Sequence, residues 1–212
     1  DYILREVEAT LLMRNPENLP AAIDILRSIP TEFQFPCSGN PFEFRVEEPN
    51  IHLDYFPYND YSYLDSTLPE RYSKLELAEK LNGLYNSKKT NGRGNDLFQV
   101  ALAYYNMSLS GSAWKYLSYF RYADEKSGIL HWAMIDEITR EALEDNSLTD
   151  EERAMVHYLG ARCQKKIFKS SDKATFFNFR KDFNQLISEY SHTEFYQSVV
   201  KECADFRLYV NK

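Results

Sequence analysis

The stretch TDEERAMVHYLGARCQKKIFKSSDKATFFNFRKDFNQLISEYSHTEFYQSVVKECADFRLYVNK, from Thr149 to Lys212, reads as three helices in close succession. Thr149 and Glu152 form the T-x-x-E pattern, in which a hydroxyl and a carboxylate cap each other's backbone N–H at a helix start. Val156, Leu159, Gly160, Cys163 and Ile167 then recur at helical spacing. Ser170-Ser171-Asp172-Lys173 is a polar break. Phe176, Phe179, Phe183, Leu186, Ile187 and Tyr190 make the next apolar face. Ser191-His192-Thr193 turns the chain again, with Thr193 placed as an N-cap. Phe195, Val199, Cys203, Phe206 and Val210 make the last face. Turns this short fold each helix back on the one before, which is how helical-hairpin arrays are built.

Working outward, the same periodicity returns upstream. Tyr2–Met13 carries Ile3, Leu4, Val7, Leu11 and Leu12 close to one helical face. Asn15-Pro16 interrupts it. A second helix is predicted from Asn18 to Ile29, with Pro20 in its first turn and Pro30 beyond its end. The two read as a helical hairpin over residues 1–30. Helices resume near Pro69, with Tyr72, Leu75, Ala78, Leu81 and Tyr85 on one side. Asn91-Gly92-Arg93-Gly94-Asn95 breaks the pattern, and Asn95 or Asp96 is placed to cap the next helix. That helix, Leu97–Met107, is apolar nearly all round, the mark of burial on several sides. Ser110-Gly111-Ser112 leads into a predicted helix over Ala113–Ala123, and Gly128 separates it from Ile129–Leu143. The pattern predicts about nine helices in all.

Residues 31–68 are different. Prolines at 30, 36, 41, 49, 57 and 69 leave no helical period. A connection of this length is either disordered or functional. Its many Phe and Tyr residues argue for order, with rings packed onto the helices. Phe42-Glu43-Phe44-Arg45-Val46 alternates like a short strand. The expected organisation is a single all-helical domain over 1–212: a hairpin at 1–30, an ordered aromatic loop at 31–68, and helical repeats over 69–212.

Composition bounds the function. The chain has 212 residues, 43 % hydrophobic and 15 % aromatic, with only 7 glycines. So few glycines disfavour a sandwich or barrel. A net charge of −7 disfavours a nucleic-acid partner, since phosphate backbones demand a basic surface. No apolar run is long enough to cross a membrane. The cysteines are Cys37, Cys163 and Cys203. Their number is odd and their spacing fits no zinc motif. Cys163 and Cys203 fall on apolar faces, which reads as buried thiols; they pair only if those faces meet. The chain opens at Asp1 without a methionine or leader. The expectation is a processed chain or the C-terminal part of a longer protein. A periplasmic or cell-surface location is expected, with any export signal upstream.

Leu159-Gly160 in a first helix, Tyr190-Ser191-His192-Thr193 at a helix junction, and Ala113 nine residues after Tyr104 resemble tetratricopeptide-like repeats. Gly39-Asn40-Pro41-Phe42, Ala103-Tyr104-Tyr105-Asn106-Met107 with the Gly111 turn, and Tyr190-Ser191-x-Thr193-x-Phe195-Tyr196 resemble an uncharacterised family of large bacterial proteins with degenerate helical repeats. The resemblance covers about two-thirds of the chain. It implies an all-α fold of antiparallel hairpins in a right-handed, tetratricopeptide-like solenoid. It implies no reaction.

No catalytic motif stands out. His52, His131, His157 and His192 are far apart in sequence, so zinc pairs of the HExxH kind are absent. His157 lies one residue off an apolar face and reads as a boundary histidine. There is no nucleophile elbow and no dinucleotide fingerprint. No catalytic residue, cofactor or metal is expected. The expected function is non-enzymatic binding of a protein, peptide or glycan. Rings that are apolar with a polar tip suit such contacts. The candidate binding residues are Tyr55, Tyr58, Tyr61 and Tyr63 in the long loop, with Trp114, Tyr116 and Tyr119 near the Gly111 turn. Core packing is the competing reading of the second group. Two alternatives stay open: a glycan hydrolase using Glu47, Glu48, Asp54 or Asp60, and a structural spacer in a cell-envelope protein.

Overall fold

The computed structural model describes residues 1–34, 37, 39–44, 72–88, 92–108, 113, 116–117, 125–169, 176–203, 206 and 210. Among these the chain is all-helical. Eight α-helices follow one another: α1 (Tyr2–Leu12), α2 (Leu19–Arg27), α3 (Lys74–Tyr85), α4 (Arg93–Met107), α5 (Glu125–Leu143), α6 (Asp150–Lys169), α7 (Phe176–Glu189) and α8 (Glu194–Glu202). Two short 3-10 turns lie at Pro16–Asn18 and Thr31–Phe33. The chain divides into two compact units, and the division falls within α4, between Leu102 and Ala103.

The first unit contains α1, α2, α3 and the end of α4. Packing runs from α1 to α2 and from α2 to α3. Asp1 caps α1, its carboxylate accepting the Ile3 N–H. Asn15 and Pro16 end that run and Pro20 opens α2, where a missing N–H costs nothing. Helix α3 begins at Lys74 because Ser73 and Glu76 form a reciprocal capping box. The Ser73 N–H, and after it the Ser73 hydroxyl, also hold the Glu76 carboxyl below its ordinary value. The core of the unit holds Ala9, Met13, Leu19, Ala22, Leu26, Leu77, Ala78 and Leu81. Tyr104 is fully buried and its hydroxyl donates to the Met13 carbonyl at 2.9 Å; burial pushes its phenol far up.

The expected strand at Phe42–Val46 is not formed in its described part. Gly39 takes a left-handed φ of 97°. Asn40 then closes a turn, its side chain accepting the Phe42 N–H at 3.0 Å. The Asn106 amide donates to the carbonyls of both Pro41 and Glu43 at 2.8 Å. Acceptors that a partner strand would need are taken by a side chain. Phe42 packs edge-on to Tyr72, just ahead of α3. The helix expected over Ala113–Ala123 lies mostly outside the described residues, as do Arg45 and Val46.

The second unit contains the start of α4 and α5 to α8. Helices α5, α6 and α7 pack in sequence, and α8 packs on α6. Tyr158 of α6 is buried among the rings of Phe44, Phe183, Phe195 and Phe206. The expected caps hold: Thr149 and Glu152 bond reciprocally, and Thr193 accepts the Tyr196 N–H. Glu151 adds a second cap to α8, accepting the N–H groups of Glu194 and Phe195. Two boundaries move. Helix α5 begins at Glu125, so Gly128 lies inside it. Helix α4 begins at Arg93, before Asn95 and Asp96. Its first turn is capped from a distance instead: the Asp145 carboxylate accepts the Gly94 N–H at 2.7 Å and Ser147 accepts the Gly92 N–H at 2.9 Å. The Gly94 bond is the first cause of the depressed Asp145 carboxyl. No disulfide joins the three cysteines; Cys163 is buried, and Cys37 and Cys203 are half-buried.

Candidate functional site

Of the residues expected to bind, Tyr55, Tyr58, Tyr61, Tyr63, Trp114 and Tyr119 lie outside the described residues. So do Glu47, Glu48, Asp54 and Asp60 of the hydrolase alternative. Tyr116 is described, and it is fully buried. Its hydroxyl donates to the Tyr72 carbonyl at 2.8 Å and accepts the Tyr72 N–H at 3.1 Å. That ring ties the chain ahead of α3 to the unit's core and presents nothing to solvent. Burial raises its phenol well above the ordinary value.

Helix α1 supplies a surface that periodicity had placed inside. Successive residues of a helix turn by about 100°, so Ile3, Val7, Leu11 and Leu4 share one arc. Glu6, Ala9, Thr10 and Met13 share the opposite arc, and it is this second arc that is buried. Ile3 is 53 % exposed, Leu4 66 % and Leu11 53 %. Tyr2 and Phe33 are also exposed, and their rings stack at 5.0 Å. The inward arc works because its charge is matched. Lys74 of α3 reaches across to the Glu6 carboxylate, and both side chains are 0 % exposed. The same ammonium donates to Thr10 Oγ1 at 2.8 Å, and that hydroxyl donates to the Glu6 carbonyl at 2.8 Å. Ala9, small and fully buried, completes the inward side. Both faces of α1 are therefore compatible with packing, and the more apolar one is left to solvent.

A second feature lies along α6. His157, Gly160 and Gln164 fall on one face. The Gln164 amide nitrogen donates to Asp136 Oδ1 of α5 at 2.9 Å and to Asp182 Oδ2 of α7 at 2.7 Å. Asp182 Oδ1 also lies 3.0 Å from His157 Nδ1. Gly160 permits the approach: a methyl group there would come within 3.3 Å of Thr139 Oγ1 and 3.7 Å of Asp182 Oδ2. His157 is thus a buried network member rather than a boundary residue. One shared donor holds the two carboxylates within about 6 Å, a spacing that overlaps the carboxyl pairs of retaining glycosidases. Here an amide, not a sugar ring, takes the space between them. Their side chains are 13 % and 16 % exposed, and the arrangement is a tie between three helices.

Burial, ahead of the Gln164 and Arg140 contacts, raises the Asp136 carboxyl above 3.8. A carboxyl raised on folding holds its proton more tightly folded than unfolded. Stability from this group therefore rises as pH falls toward 3.8 and is lost as pH climbs through the raised value. Asp136→Asn keeps an acceptor for Gln164 and removes the buried charge. The expected result is a gain of up to about 1 kcal/mol at neutral pH, with a flatter dependence on pH below it. Urea melts at a series of pH values check this; a loss at neutral pH would refute it.

Among the described residues, no group of three or more His, Cys, Asp or Glu side chains could hold a metal ion. No described helix is long and apolar enough to cross a membrane. No family model, curated protein or solved structure matches the chain.

Proposed function

We propose that the chain is a helical binding module that captures an α-helix of a polypeptide on the outward face of α1. The observation that carries this reading is the exposure of Ile3, Leu4 and Leu11 on one side of a single helix. Contiguous apolar patches of a few hundred Å² on a folded domain commonly mark interaction sites. A ridge with residues at i, i+4, i+7 and i+8 suits an amphipathic helix, which presents anchors at the same spacing. The tetratricopeptide-like repeat architecture belongs to the same proposal. What supports it is Gly160, where the lack of a side chain admits Thr139 of the preceding helix.

Fluorescence anisotropy with a panel of labelled amphipathic helical peptides tests the reading. Micromolar binding by the wild-type chain is expected, weakened at least ~30-fold by Leu4→Glu with Leu11→Glu, since central apolar anchors carry most of the energy of such contacts. Both positions face solvent, so far-UV circular dichroism and the melting curve should stay as in wild type. A panel that binds wild type and variant equally would overturn the proposal.

A further inference from the structure

We propose that the helix taken up by the α1 face is α1 of a second copy of this chain, in an antiparallel, two-fold pair; this rests on the helix-capture reading above. The argument begins with the spacing of Leu4 and Leu11. They are seven residues apart, two helical turns or about 10.5 Å along the axis. A two-fold axis passing between Val7 and Glu8 sets Leu4 of one copy against Leu11 of the other, and Leu11 against Leu4. Val7, half-buried in one copy, lies at the centre. A closed two-fold contact requires a patch that complements itself, and this stripe does so within one short helix.

The charges agree with the spacing. Arg5 and Glu8 are both exposed and stand on the same border of the stripe. In an antiparallel pair, like borders face each other. The seam then carries a row of Arg5, the partner's Glu8, Glu8 and the partner's Arg5, two cations outside two carboxylates. The row is neutral in sum, and each Glu8 has an arginine of the other copy within reach. The opposite border offers only the buried Thr10 and Glu6. Area sets the strength. The exposed parts of Ile3, Leu4 and Leu11 amount to on the order of 300 Å², against about 800 Å² per partner in a standard interface. The pair is therefore a weak one.

Sedimentation velocity of the full chain over a wide concentration range is the test. Wild type is expected to shift from monomer to dimer as concentration rises. Leu4→Glu with Leu11→Glu should remain monomeric throughout. Arg5→Glu and Glu8→Arg should each weaken dimerisation by ~10-fold, and the two together should restore it to within ~3-fold of wild type, the signature of a direct pair in a double-mutant cycle. A wild-type chain that is monomeric at the highest concentration overturns the self-pairing. So does a Leu4→Glu, Leu11→Glu variant that dimerises like wild type. The two proposals fail separately: a monomeric chain that still binds the amphipathic peptides loses only the second copy. A chain that neither dimerises nor binds them loses the helix-capture reading as well.

Discussion

Lys74→Met is expected to lower the stability of the first unit by about 3–5 kcal/mol, because it removes the cation from a buried ion pair. In the wild-type chain the ammonium of Lys74 meets the Glu6 carboxylate where neither is exposed, and Thr10 fills the ammonium's next position at 2.8 Å. Glu6→Leu with Lys74→Met removes both charges together. That double variant is expected within about 2 kcal/mol of wild type, since a buried pair gains little net over a well-packed apolar pair. Thr10 survives either change, because its hydroxyl already donates to the Glu6 carbonyl. Guanidinium melts of the two variants beside wild type decide the matter. A single variant within about 1 kcal/mol of wild type would mean the pair is not truly desolvated.

Gly94→Ala is expected to destabilise the second unit. A methyl group on Gly94 would lie 2.7 Å from the Ala142 carbonyl oxygen, 2.8 Å from Asp145 Cβ and 3.0 Å from Leu148 Cγ. The first of these is backbone and cannot rotate away. Replacing glycine by alanine inside a helix ordinarily gains up to about 1 kcal/mol. Here overpacking outweighs that gain, and a net loss of about 2–3 kcal/mol is expected. The shift needed to relieve the clash also draws the Asp145 carboxylate off the Gly94 N–H. Gly83 supplies the matched control. It is exposed, lies in α3, and has nothing within 4 Å of an added methyl. Gly83→Ala should therefore stabilise by up to about 1 kcal/mol. Thermal melts of the two variants with opposite signs are the expected outcome; matching signs would refute the steric account.

The same residues mark where sequence reading stopped. Thr149 with Glu152 and Thr193 with Tyr196 were legible because a cap and its target lie three residues apart. The start of α4 was not, because its cap comes from Asp145, 51 residues away. A helix start without a local signal was displaced to the nearest capping residues, Asn95 and Asp96. The stripe on α1 was also legible, but periodicity cannot say which arc faces the core. That choice was made by Lys74, 68 residues from Glu6, which turned a glutamate into an acceptable buried residue. Tyr116 shows the same limit for the site: its spacing left core packing and a binding ring both open, and its hydroxyl is committed to the backbone of Tyr72.

The connection at residues 144–149 looks like an ordinary surface turn, with Glu144, Asn146 and Ser147 exposed. Yet Asp145 and Ser147 hold the start of α4. Arg153 draws in the Leu143 and Asp145 carbonyls at the end of α5, and Thr149 starts α6. Three helix ends thus share one clasp. A turn is normally where evolution and engineers insert sequence at little cost. Here a single added residue would fray three helices together, so this exposed corner should tolerate lengthening as poorly as the core tolerates a charge.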